Sequence, residues 1–153
     1  MASTITPATL TVTITESVTL NGAEENASNT LSIASVGQVS RRIYTVSNAD
    51  YETLVELTSG RISGQKYSIS DCKYIRLTNL DNANDLHIRI VNSNSENYTL
   101  KVAAGHSLQF GPDFKTGAGT GSAPVTFYDI SKIEAVANPS HQDIDCELYI
   151  ASA

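Results

Sequence analysis

The chain offers few residues that could do chemistry: three histidines, His87, His106 and His141, two cysteines, Cys72 and Cys146, and scattered carboxylates. A hydrolase needs a nucleophile, a base and an orienting acid held in a suitable local context. His87 falls on the polar parity of an alternating segment, His106 follows a turn glycine, and there is no GxSxG elbow. We expect no enzyme and assign no catalytic residue. His141, Asp143 and Asp145 form H-x-D-x-D, which on a strand would align one nitrogen and two oxygen ligands. The plainer reading is the solvent face of an edge strand, so no metal site is assigned. Residues 81–86 begin like a calcium loop, but Ala83 replaces a ligand, Leu86 stands where glycine is needed and no Glu closes the loop. A hairpin turn is expected there instead.

Gly117, Gly119 and Gly121 make G-x-G-x-G without the GK[ST] of a phosphate loop or the flanking strand and helix of a dinucleotide fingerprint. No cofactor is expected, and the segment reads as a loop that orders on a partner. Seven tyrosines without a tryptophan leave a glycan-binding module as a weaker alternative, since sugar sites often use exposed aromatics, commonly Trp. Neither cysteine has a CxxC partner, and both lie in strand-like segments. Two buried thiols are the first reading and one bridge the second.

Charge and hydropathy narrow the classes further. The net charge is −6, and residues 1–40 hold no Lys or Arg. That balance repels a phosphate backbone, so nucleic acid is not expected as a partner. No apolar run approaches the roughly 20 residues of a spanning helix, and no membrane is expected either. The first residues lack the basic and apolar regions of a secretory signal. Synthesis in a cytoplasm is the expectation, with the sequons at Asn26 and Asn97 as chance matches.

The elements that would position any site are strands. Ser, Thr and Asn make up 45 of the 153 residues, which disfavours helix interiors. Leu10, Val12, Ile14, Val18 and Leu20 share one parity, and Thr9, Thr11, Thr13, Thr15 and Thr19 the other. Asn21-Gly22 then turns the chain, and AEENASN reads as a loop. Ile75 and Leu77, then Leu86, Ile88 and Ile90, alternate around the turn NLDNAND as a hairpin. Ile144, Cys146, Leu148 and Ile150 alternate in the last strand. Segment 49–58 fits helix or strand, and its β neighbours favour a strand over 53–58.

About nine to eleven short strands in an antiparallel, jelly-roll-like β-sandwich are expected, with little helix. The whole of 1–153 forms one domain, with 1–7 a candidate N-terminal arm and 111–124 a long exposed loop. Leu10, Val12, Ile14, Leu77, Ile88, Ile90, Leu100, Leu148 and Ile150 should be buried, and Thr11, Thr13, Arg76, Arg89, Lys101 and Glu147 more exposed.

The block from Tyr74 to Phe110 carries a Y-I-R-x-T-N-L-D strand and turn (Tyr74 to Asp81), a second strand (His87 to Val91) and an A-G-x-S-x-x-F turn and strand (Ala104 to Phe110). It resembles a segment of small structural proteins of tailed bacteriophages. The likeness implies a virion component. It would be a capsid decoration (cement) protein on the outer surface of the particle, made in the host cytoplasm, or else a tail, baseplate or fibre subunit. The implied partners are the major capsid protein or other virion proteins, and further copies of the chain as a homotrimer. Assembly is expected through the loops AEENASN and 111–124, with Phe114, Lys115, Gly117, Gly119 and Gly121 as interface residues; Phe114 reads equally as an exposed aromatic anchor or as a ring folded back to plug the end of the sandwich.

Overall fold

The computed structural model describes residues 6–59, 66–111, 113–118, 124–138 and 142–153. Period-two alternation gives strands throughout, and the described residues contain no helix. In chain order the first strands are β1 (Ala8–Glu16), β2 (Thr19–Leu20), β3 (Ala23–Glu24), β4 (Ala27–Val36) and β5 (Gln38–Val46). Then come β6 (Glu52–Thr58), β7 (Lys66–Ser68), β8 (Cys72–Asn79), β9 (Leu86–Asn92) and β10 (Asn97–Val102). The last are β11 (Ser107–Phe110), β12 (Lys115–Thr116), β13 (Tyr128–Ala137) and β14 (Ile144–Ser152). The expected nine to eleven becomes fourteen because β2, β3, β7 and β12 are ladders of only two or three residues.

Two sheets make an antiparallel sandwich. One has the order β10-β9-β13-β6-β7, with β12 beside β13, and the other β11-β8-β14-β5. Among the described residues only β6 and β7 pair in parallel. Strand β9 shows why the alternation works: Leu86, Ile88 and Ile90 point inward, while His87 and Arg89 point away. They meet Ile133 and Ala135 of their own sheet and Leu77, Leu148 and Ile150 of the other in one buried cluster.

Several expectations about burial are corrected. Leu10 and Val12 are only half-buried, and Ile14 is 43% exposed, because β1 lies outside the sandwich. Leu100 faces the same side as its cross-strand partner Ile88, yet is 41% exposed because β10 is the edge strand where cover ends. Glu147 is buried at 4%, since Arg41 and Arg76 both close on its carboxylate.

Cys72 and Cys146 are free and buried. The β8–β14 register sets Cys72 opposite Ser152 and Cys146 opposite Asn79, at the two ends of the ladder, too far apart for a bridge. Burial raises the Cys72 thiol to about 11 and the Cys146 thiol to about 12. Since the thiolate is the reactive form, a disulfide-exchange reagent at pH 8 should label neither thiol in the folded chain and both after denaturation. Fast labelling of the native protein would contradict this packing.

Candidate assembly interface

Strands β1 and β4 pair with each other and with no other strand among the described residues. Together with β2 and β3 they form a long hairpin arm. Its tip is the Asn21-Gly22 turn, with φ of 51° and 82°, the left-handed pair that a two-residue hairpin loop demands. Most of AEENASN, expected to be a loop, is strand: β3 pairs back onto β2, and β4 begins at Ala27. Asn26 closes the interval between them by accepting a hydrogen bond from the Val18 amide.

The two faces of the arm differ. Thr11 lies opposite Ser32, Thr13 opposite Thr30 and Thr15 opposite Ser28, a hydroxyl ladder in which the Thr13 and Thr30 oxygens are 3.3 Å apart. The other face pairs Leu10 with Ile33 and Val12 with Leu31. At its base this apolar stripe covers the outer side of the second sheet, where Leu10, Val12 and Ile33 pack on Tyr74, Tyr149 and Ala151. Beyond the base it has no cover. All residues from 13 to 32 are exposed, including Ile14 at 43%, Leu31 at 42%, Val18 at 52% and Leu20 at 62%. An isolated two-stranded ribbon is marginal in water. The distal arm leaves an apolar stripe in water without cover from the described residues.

A cleft of about 280 Å³ opens where the arm leaves the sheet, lined by Leu10, Val12, Thr13, Tyr74, Arg76 and Tyr149. Arg76 stands 5.7 Å over the Tyr149 ring, and the Tyr74 hydroxyl donates to Gln109 at 2.9 Å. The guanidinium is committed to Glu147, so this wall is built from mutually satisfied groups apart from a buried Arg76 Nε. The other sheet carries a matching cluster on its outer side. There Glu134 accepts from Arg89 and Lys132, each at 2.6 Å, and Arg89 lies 3.8 Å over the Tyr51 ring. Arg76 and Arg89 are half-buried because each caps a glutamate.

Burial raises the affinity of the Glu134 carboxylate for its proton. The hydrogen bonds from Lys132 and Arg89, with their charges, outweigh that and hold it below the usual glutamate range. The unfolded chain then binds more protons in acid, so stability rises with pH across that range and is lost as pH drops. The contribution of this cluster is complete above the ordinary glutamate value of about 4.3 and fades as pH drops through the lowered folded value. Glu134→Gln should flatten the acid side of a stability profile measured by urea unfolding between pH 2 and 6. An unchanged slope would show that the cluster is not coupled to folding.

The glycine-rich segment differs from expectation. Of the two readings of Phe114, the folded-back ring is the one seen: it is half-buried, packs on the main core and lies 5.3 Å from Phe110. Lys115 pairs through β12 with Asp129, and its ammonium lies 3.4 Å from Asp129 and 3.6 Å from Asp113. A Cβ on Gly117 would collide with the Thr126 carbonyl oxygen, so the residue is fixed by a close approach. Residues 113–118 are thus strapped to the sandwich, and the remaining interface candidates, Gly119 and Gly121, lie outside the described residues.

The metal candidates also have structural work. Asp145 accepts from the Thr45 hydroxyl at 2.8 Å and Asp143 from the Asn48 amide at 3.3 Å, while His141 is outside the described residues. Asp81 accepts the amides of Ala83 and Asn84, both at 2.7 Å, and those bonds lower its carboxyl below the usual range. Among the described residues, no three His, Cys, Asp or Glu side chains converge on a cation position.

The residues that carry the virion-protein likeness build turns. Asn79 bridges two loops, Gly105 has a φ of 71°, and the Thr78 and Ser107 hydroxyls meet at 2.8 Å. The arm escaped detection because parity marks an apolar face without saying what lies over it. The available signal was two β-rich runs around Asn-Gly in a stretch with no basic residue. The chain matches no protein-family model, no curated protein and no solved structure.

Proposed function

We propose that the protein is a structural virion subunit, a capsid decoration protein of the outer particle surface, that works by assembly and not by turnover. The observation that carries this reading is the arm, a ribbon exposed on both faces with an apolar stripe docked only at its base. Water disfavours such a stripe, and a neighbouring subunit would cover it. The acidic balance supports a position away from packaged nucleic acid, and the turn pattern of residues 74–110 supports the class of virion proteins. The partners in this reading are the major capsid protein and further copies of the chain.

Immunogold labelling of particles produced from the genome that encodes the chain tests the proposal. Gold over the capsid is the expected result. Gold on the tail or baseplate would move the subunit there, and particles without gold would overturn the reading.

A further inference from the structure

We infer that the arm of one copy docks along the free edge of β5 in a second copy. Strand β5 ends its sheet, pairing with β14 on one side only. Among the described residues, no backbone hydrogen bond meets its outward edge. An open edge of nine residues is a template for strand addition. Among the described residues it has neither a proline nor a covering segment, and its edge protection is limited to the charges of Arg41 and Arg42. It also displays apolar side chains, with Val39 at 51% and Ile43 at 62% exposure.

Three features select the arm of another copy as the occupant. The first is charge. Residues 1–40 hold Glu16, Glu24 and Glu25 and no cation, whereas β5 presents Arg41 and Arg42. Arg41 is held by Glu147 but stays largely exposed, and Arg42 makes no ion pair with any described residue. The second is continuity. Val39 lies opposite Ala151, which is already buried under the base of the chain's own arm. A second ribbon laid beside that base would extend one apolar contact and not found a new one. The third is reach. β4 passes into β5 through Gly37 alone, so the arm's tip lies beyond the full ten-residue length of β4 from its own β5. Its exposed distal part touches no body residue closely enough to be covered. The uncovered ribbon and the uncovered edge therefore satisfy each other between copies, with Ile14, Val18 and Leu20 available to cover Val39 and Ile43.

This inference rests on the arm being an assembly element and not on the virion. Sedimentation of the full chain over a range of concentrations should show self-association. Arg42→Glu alone, or Glu24→Lys with Glu25→Lys, should weaken it about tenfold or more, because like charges then face each other. All three changes in one chain should restore it, since the pairing is inverted and not lost. Ile43→Asp should weaken it with no rescue. These positions are all exposed, and circular dichroism checks that each variant keeps its strands. A monomeric parent chain overturns the inference, as does association indifferent to the reversals or a triple variant that fails to recover. Particles that carry gold with a monomeric chain would sink this inference and leave the virion reading. Self-association through β5 without gold would do the reverse.

Discussion

Ile88→Ala should lower the free energy of unfolding by about 2–5 kcal/mol, the range for truncating a large aliphatic residue in a packed core. Ile88 has no exposed surface. It sits on β9 between β10 and β13, opposite Leu100 on one side and Ala135 on the other. Ala135 is the reason to expect the upper half of the range. A small neighbour cannot grow into the space that the lost methyl groups leave, and two flanking ladders hold the backbone in place. Urea unfolding followed by circular dichroism measures the change. A loss below about 1 kcal/mol, typical of surface positions, would mean that β9 turns its other face inward, with His87 and Arg89 in the core. The same substitution at Leu100 should cost clearly less, because that residue shares the face but lies on the edge strand.

Asn79→Ala should cost about 2–4 kcal/mol, more than the removal of an ordinary polar side chain, because its partners are backbone groups with no second choice. Asn79 is fully buried at the end of β8. Its amide group donates to the Asn84 carbonyl at 2.8 Å and the Val102 carbonyl at 3.1 Å, while its oxygen accepts from the Asp81 amide at 3.0 Å. Its own backbone N–H donates to the His106 carbonyl at 3.0 Å. One side chain thus ties the β8–β9 turn to the end of β10, and alanine leaves three backbone groups unpaired. Asn79→Asp separates the roles. It keeps an acceptor for Asp81 but loses both donors and places a carboxylate against two carbonyls, which raises its folded pKa. Its penalty should therefore be smallest below the ordinary aspartate value of about 3.9 and grow as pH rises above it. If Asn79→Ala unfolds at the same urea concentration as the parent chain, the two loops are not held through this residue.

The two predictions differ in how far the sequence alone supports them. The inward directions of Leu77, Ile88, Leu148 and Ile150 follow from alternation, but the hairpin expected of β8 and β9 does not form, because the turn between them carries the chain from one sheet to the other. The Asn21-Gly22 turn was likewise accessible, because it depends on the chain within a few residues, whereas the choice between two thiols and a bridge needed the β8–β14 register. The burial of Asn79 was not accessible either. Nothing in T-N-L-D says that the amide closes over three backbone groups from two loops, since Val102 stands 23 residues away.

The same limit explains the corrections. Glu147 and Arg76 both lie on the outward parity of their strands, and alternation alone exposes both. Only the β5–β14–β8 register brings two guanidinium groups over one carboxylate and takes it out of water. Phe114 sits among glycines, and a loop composition leaves an exposed anchor and a ring folded onto the core equally open; the contact with Phe110 and the core decides between them. The amino-acid sequence by itself determined that this is an all-β chain, where it turns and which parity of most strands is apolar, because backbone preference and side-chain alternation are local. Tertiary structure alone decided that β1 and β4 leave the sandwich as an arm whose stripe continues past its cover. A period of two distinguishes the two faces of a strand, but burial requires a second surface, and that surface is supplied by residues far away in the chain.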